Sequence, residues 1–558
     1  MDVKGKLASS FLFYLFLKSK PVQNFKNNTT FLFYNLNNIQ IYKQLYQSLI
    51  VTNFYTALKI IPYVSNKINT GIKSATEGLE ESLNKHDNDI HDIFQKNGVV
   101  VPIDNSIPRI NSEIQLITLL EQLRDSEKSK IPNNKVSGTI YADVESGKSK
   151  RRTELFLSRI FHLYYLTNPL HPDIFPSLRF IERNLIQFTL KLFNANMDTA
   201  RGVLTTGGTE SIFLACKAYR DYAKHIEKPE MIVSNTIHPA FDKAAHYLGI
   251  KILRIPFCHK SAKLDVNKIY KMINDNTIMV AVSAPNFPYG TCDPIEKVAK
   301  ITKKYNVPLH VDACLGGFVL AFLNDPNKIL PDKFTYDFTV DGVTSVSADY
   351  HKYALCPKGS SIIMYNSRKY ADRQYFVQPD WCGGIYATNS FTGSKSGNIT
   401  LMTWATILLN GTKFYRQLAK SINNTTCELA EKLNQIPHVN IVGSPYDLVN
   451  VVAFYTDTKF CHISAVNSIL KKKGYNLNEL QKPDAVHLAV TENHTSEEFK
   501  KQFIIDVIVA VRESISSQKQ ALNRGEEVGA AIYGTSQKIN DSSIIDTVAR
   551  NYLDLLYC

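Results

Sequence analysis

From about residue 150 the apolar and polar positions fall into a regular alternation. Short β-rich runs are each followed by an amphipathic helical run. GVLTT (202–206) precedes SIFLACKAYRDYAKHI, and MIVSN (231–235) precedes AFDKAAHYLG. KILRIPF (251–257) leads to LDVNKIYKMIND, and TIMVAVSAPN (277–286) leads to DPIEKVAKITKKYN, with PLHVDACLG (308–316) next. Asp293, Pro294 and Glu296 read as a helix start, with Asp293 as the cap and Glu296 at the capping-box position. This alternation predicts an α/β fold with a mostly parallel sheet covered by helices on both faces. After about residue 398 the pattern changes to helices with a few short strands, such as VNVVAFYT (449–456) and AVHLAV (485–490), which predicts a smaller α+β domain.

The N-terminal part is different. Leu7–Leu17 is a run of eleven apolar or small residues flanked by lysines. As a helix it would span about 16 Å against a hydrocarbon core of about 30 Å. Tyr42–Val64 is longer, but Gln44, Gln47, Asn53 and Lys59 dilute it, so it reads equally as a surface-lying amphipathic helix that Pro62 ends. Ser65 to Arg124 is polar, with a helical patch at 113–123. Four regions are expected: a membrane-associating segment (1–64), an extension packing on the body (65–149), a large domain (150–397) and a small domain (398–558).

Composition narrows the function classes. Apolar residues make up 44% and charged residues 21%, an ordinary globular balance. The 9 cysteines form no C-x-x-C pair, which argues against a disulfide framework or a zinc ribbon and for reduced thiols facing the cytosol. Residues 1–76 hold nine lysines and one acid, a net +8 of the total +13. That concentration points to a membrane surface before nucleic acid, and the body shows no basic stripe of a phosphate-backbone reader.

Ligands of parallel sheets bind at the C-terminal strand ends, and four such ends carry chemistry. Thr205-Thr206-Gly207-Gly208-Thr209-Glu210-Ser211 is a glycine and hydroxyl turn before a helix, an anion site by its free N–H groups but neither a dinucleotide nor an ATP motif. His238 follows MIVSN and could stack on a flat ligand or simply be a satisfied structural histidine. Asp312 ends an apolar strand and wants a cationic partner such as a protonated pyridine nitrogen, or caps a turn. Lys352 in Ser347-Ala348-Asp349-Tyr350-His351-Lys352, held partly dry, could form a Schiff base. Each element alone is weak. Their order matches the needs of pyridoxal phosphate.

At this point longer runs become informative: TNPLHPDIFP (167–176), TTGGTESI (205–212), ACKAYRD (215–221), PLHVDACLGGF (308–318), VTSVSADYHKYALCPKGSS (343–361), DWCGGIYA (380–387) and AAIYG (530–534). With these the chain resembles the sphingosine-1-phosphate lyase family from about residue 65 onward. These are fold-type-I pyridoxal-phosphate enzymes related to the group II decarboxylases. The resemblance implies Lys352 as the cofactor-bearing lysine, Asp312 as partner of the pyridine nitrogen and His238 stacked on the ring. Gly208, Thr209 and His351 would hold the cofactor phosphate. Tyr141, His171 and Lys358 would form the substrate-phosphate site. Ser394, in the loop GSKSG (393–397), would reach the site of a second chain in a homodimer with shared active sites. The implied reaction is retro-aldol cleavage of a phosphorylated long-chain base to an aldehyde and ethanolamine phosphate, at the endoplasmic reticulum membrane with the catalytic body in the cytosol. No metal and no nucleic acid are expected. The rivals are an amino-acid decarboxylase of the same fold and a membrane-tethered non-catalytic relative. The family pattern has Arg and Pro where Lys395 and Ser396 stand, Thr at Tyr350 and Gln at Cys382. Lysine keeps the charge of arginine without its bidentate fork.

Overall fold

A computed structural model describes residues 62–96, 113–130, 133–141, 148–258, 260–323, 334–523 and 542–556. Leu7–Leu17, most of Tyr42–Val64 and the AAIYG run lie outside the described residues. The chain divides into two compact units, 1–109 with 535–558, and 110–534.

In the first unit, helix Pro62–Lys96 packs against helix Ser542–Leu555, and the Asn551 side-chain amide donates to Thr76 Oγ1 at 3.2 Å. Pro62 is the first residue of this helix, and the stretch it was expected to end lies outside the described residues. The proline's missing N–H is harmless at a first helical position, where no partner exists anyway. The C-terminal helix belongs with this unit, not with the small-domain sheet with which the sequence grouped it.

The second unit holds a seven-stranded sheet of β1 (Arg201–Thr205), β2 (Glu230–Ser234), β3 (Lys251–Ile255), β4 (Thr277–Ser283), β5 (Leu309–Asp312), β6 (Val343–Ala348) and β7 (Ser361–Tyr365). Its order is β1-β7-β6-β5-β4-β2-β3, all parallel except β7, which runs against both neighbours. β2, β4 and β7 are buried along their whole length, as strands covered on both faces must be. Alternate residues feed opposite cores. Ile232, Val280 and Val311 point to one, and Met231, Met279 and Ile363 to the other, under helix Gly208–Tyr222. Edge strand β3 exposes Lys251 and Arg254, which pair with Glu230 and Asp242.

β8 (Phe376–Gln378) and β9 (Tyr386–Thr388) form a separate hairpin. The C-terminal part carries an antiparallel sheet of β10 (Val439–Ile441), β11 (Val451–Thr456), β12 (Asn478–Leu480) and β13 (Ala485–Ala489), in the order β10-β11-β13-β12. Helix Gly397–Asn434 is broken at Gly411, whose φ of 66° only glycine adopts freely. Asp293 does not cap the following helix. Its buried carboxylate accepts the backbone N–H of Leu264 and of Ser283, and Pro294 occupies the cap position of helix Ile295–Lys304. Burial pushes this carboxyl up to about 6, against those two N–H groups.

Candidate active site

β1, β5 and β6 end at the edge of the sheet where antiparallel β7 begins. Hydroxyls tie this edge together. Thr205 Oγ1 lies 2.6 Å from Ser211 Oγ, Ser211 lies 2.9 Å from Ser361, and Ser361 donates to the Ala348 carbonyl at 3.0 Å. Helix Gly208–Tyr222 starts there with no side-chain cap from Gly207. Its first N–H groups, Gly208 and Thr209 among them, are left for an anion. A Cβ at Gly208 would stand 2.9 Å from both Asp349 oxygens and from Cys314 Sγ, so the close approach requires glycine. Glu210 turns back to accept the N–H and hydroxyl of Thr206 at 2.7 Å and the N–H of Phe391 at 3.1 Å.

Lys352 Nζ sits 2.9 Å from Asp349 Oδ2, and His351 Nε2 sits 3.5 Å from the same oxygen. Burial pulls the Lys352 ammonium down, but Asp349, with smaller help from Tyr141 and Cys314, outweighs it and the group is raised. Burial pushes Asp349 up, yet Lys352 and His351 hold it below the usual carboxylate range. Burial lowers His351. Asp349 Oδ1 and His351 Nδ1 are buried without partners.

Tyr141 comes to this site from the short segment before the large domain. Ser137 ties that segment to β13, accepting the Ala489 N–H at 2.9 Å and donating to the His487 carbonyl at 3.2 Å. The Tyr141 ring meets Tyr353 edge-on at 5.0 Å, and Lys358 Nζ lies 4.9 Å from its centroid. Burial pushes the Tyr141 phenol up to about 12, with Lys352 opposing. Burial and the neighbouring Lys352 lower Lys358. Tyr353 is anchored by donating to the Val490 carbonyl at 2.9 Å.

Asp312 accepts the Cys314 N–H at 3.1 Å and the Ser347 hydroxyl at 3.5 Å, both on Oδ1. His238 Nδ1 accepts the Ala240 N–H at 3.1 Å, and its ring stands edge-on to Phe287 at 6.3 Å. The remaining two candidates sit elsewhere in the chain. His171 is exposed on the turn after Asn168, and no hydrogen bond, ion pair or ring contact among the described residues joins it to Tyr141 or Lys358. Ser394 Oγ accepts from Asn168 Nδ2 at 2.9 Å, on that same turn. Lys395 pairs with Glu182 at 3.4 Å, so the loop that lacks the family's Arg and Pro is fastened within its own chain. Tyr350 points into the core and bonds Thr189 at 2.6 Å, away from the cofactor residues.

Residues 167–455 match the pyridoxal-dependent decarboxylase conserved domain. The chain is 40% identical over 443 residues to sphingosine-1-phosphate lyase 1 of Rattus norvegicus, covering 79% of this chain and 75% of that one. The chain belongs to the sphingosine-1-phosphate lyase family. The Saccharomyces cerevisiae sphingosine-1-phosphate lyase is 34% identical over 504 residues, covering 89% of this chain and 81% of that one. The solved structure of a sphingosine-1-phosphate lyase from Burkholderia pseudomallei K96243 superposes with a TM-score of 0.69 at 32% identity, over 76% of this chain and 96% of that one. A Lactobacillus brevis glutamate decarboxylase shares the fold at a TM-score of 0.63 and 18% identity, over 76% of this chain and 98% of that one.

The family's cofactor is pyridoxal phosphate, and the residues present fit it. Gly208 leaves no room for a side chain, His351 Nδ1 is an orphan, and Asp312 Oδ2 takes no hydrogen bond among the described residues. Among those residues no cluster of three His, Cys, Asp or Glu could hold a metal. Sequence reading passed over Asp349, Glu210 and Tyr353. An acid three residues before the lysine, directly after an apolar strand, was the available sign for Asp349.

Proposed function

We propose that this enzyme cleaves the C2–C3 bond of phosphorylated sphingoid bases, releasing a long-chain aldehyde and ethanolamine phosphate. One observation carries the reading: the loop between β6 and β7 presents Lys352 against Asp349 and Lys358 over the buried Tyr141. A cation beside a phenol in a half-dry site suits a phosphate dianion, which needs several charge-assisted donors. An amino-acid decarboxylase has no use for such a pair.

Pyridoxal phosphate, when bound, supplies the electron sink for the broken bond. Lys352 carries it, Asp312 keeps a proton on the ring nitrogen and His238 lies against the ring. Gly208, Thr209 and His351 hold its phosphate. Tyr141 and Lys358 grip the substrate phosphate, with His171. A phenol pushed up to about 12 stays protonated near neutrality, so Tyr141 serves as a donor and not as the base.

The active unit in this reading is a homodimer in which Ser394 of each chain completes the other's site. Supporting it, the β8–β9 hairpin exposes Phe376, Val377, Trp381, Ile385 and Tyr386. The basic N-terminus, +8 over residues 1–76, attaches the enzyme to the endoplasmic reticulum with the body in the cytosol. Among the described residues no helix is long and apolar enough to cross a membrane. Carbonate washing of membranes releases a surface-bound N-terminus and retains a spanning one. A protein that is soluble before any wash defeats the attachment.

The reaction is tested by incubating purified holoenzyme with a phosphorylated sphingoid base and with its unphosphorylated form. Aldehyde and ethanolamine phosphate should appear from the first alone. Carbon dioxide released from an amino acid, with no aldehyde from either base, would assign the decarboxylase chemistry instead.

A further inference from the structure

Across β5 and β6, His310 is in register with Ser345 and Asp312 with Ser347. Residues two apart on a strand share a face, so these four side chains form one patch beneath helix Gly208–Tyr222. His310 Nδ1 lies 2.8 Å from Ser345 Oγ, and Nε2 lies 3.2 Å from Ser347 Oγ. Ser345 Oγ accepts from the Tyr219 hydroxyl, on that helix, at 2.6 Å, and Thr344 Oγ1 lies at the same distance from that hydroxyl. Ser347 Oγ is also 3.2 Å from Cys314 Sγ and 3.5 Å from Asp312 Oδ1.

The directions of these bonds follow from the donors available. With Tyr219 donating to Ser345, the Ser345 proton goes to His310 Nδ1. A neutral imidazole then carries its proton on Nε2 and donates to Ser347. Ser347 also accepts from the Cys314 thiol, so its own proton is left for Asp312. Along Tyr219, Ser345, His310 and Ser347 the donors point the same way, towards one carboxylate oxygen, where the Cys314 N–H also arrives. His310, Ser345 and Ser347 are fully buried. Burial pushes His310 down to about 4 against the pull of Asp312, which keeps the ring in the neutral form the chain of donors requires.

We propose that His310 and Ser347 are positioning residues for Asp312. The chain Tyr219–Ser345–His310–Ser347 holds the carboxylate by Oδ1 and leaves Oδ2 to meet the ring nitrogen of the cofactor. The inference rests on the assignment of Asp312 to that nitrogen. Filling this buried space needs no such alignment, since an apolar cross-strand pair would do so without burying polar groups.

The test loads Ser347→Ala, Ser347→Thr and Tyr219→Phe with pyridoxal phosphate labelled with nitrogen-15 at the ring. The ring-nitrogen signal and the cofactor dissociation constant are then measured. In Ser347→Ala the signal should move towards that of an unprotonated pyridine. The dissociation constant should rise roughly tenfold, the loss of about one hydrogen bond to a charged group, with kcat falling more than KM. Ser347→Thr keeps the hydroxyl and should restore all three. Tyr219→Phe removes only the far oxygen and should move the signal in the same direction by less, which carries the test if Ser347→Ala does not fold. An unchanged signal in Ser347→Ala and Tyr219→Phe, with only the melting temperature lowered, overturns the proposal. An Asp312→Asn control that leaves the signal unmoved instead overturns the assignment of Asp312 itself.

Discussion

Lys352 Nζ and Asp349 Oδ2 stand 2.9 Å apart, with the aspartate side chain 2% exposed. The lysine is raised and the acid lowered by the same contact, so before the cofactor is loaded the two form a buried ion pair. Removing one member of such a pair leaves an uncompensated buried charge, at a cost of about 3 kcal/mol.

Asp349→Asn should therefore destabilise the cofactor-free protein by about 3 kcal/mol near neutral pH. The acid's contribution is present above the ordinary carboxylate range and is lost as pH falls through its lowered value. The lysine's contribution is fully present below the ordinary lysine value and is lost as pH rises through its raised one. Urea unfolding at several pH values should show a constant gap between wild type and variant around neutrality, closing in acid. A gap that instead widens in acid contradicts the pairing.

Lys352 is the residue expected to carry the cofactor. Borohydride treatment of the yellow holoenzyme should leave the cofactor on the peptide containing Lys352, and Lys352→Ala should lack the visible band and turnover. A retained band in that variant would move the attachment elsewhere.

Lys358→Ala should raise KM for the phosphorylated base roughly 10- to 100-fold, the range for losing a hydrogen bond to a charged group. The visible band of the cofactor should not change. Steady-state kinetics with paired phosphorylated and unphosphorylated bases checks this. If both bases lose equally, Lys358 does not read the phosphate.

Because the Tyr141 phenol is pushed up to about 12, it should add no limb to the activity profile in the neutral range. Tyr141→Phe should lower activity by the same factor throughout that range. A limb that vanishes in the variant would mark Tyr141 as a titrating base.

Sharing of sites between chains is checked by mixing Lys352→Ala with Ser394→Asp, each inactive alone. Random pairing should restore roughly a quarter of wild-type activity, since half the dimers are mixed and each regains one site. Proven subunit exchange with no recovery would mean that each site is built within one chain.

Most of the large-domain sheet was legible because its strands are short buried apolar runs with helices between them, and TIMVAVS is the clearest case. The residues gathered at the strand ends were legible where a motif concentrates them, as with Gly208, Asp312 and Lys352. Long-range geometry was not. Nothing local tells that Ser137 fastens Tyr141 to a sheet some 350 positions later, or that Asp293 serves the end of β4 and the backbone at Leu264 instead of its own helix. His310 and Ser347 were visible as letters, but their partnership exists only through strand register.

The antiparallel course of β7 has one more consequence. Because it starts where β6 ends, Lys352, proposed to carry the cofactor, and Lys358, proposed to meet the substrate's phosphate, sit on a single short excursion of chain, not on separate domains. The excursion works as a ruler: it sets how far the amine of a substrate may stand from its phosphate, while leaving the alkyl tail unmeasured. An analogue with one extra carbon between amine and phosphate should be refused whatever its tail. Bases of many chain lengths should share the same head-group geometry at the site.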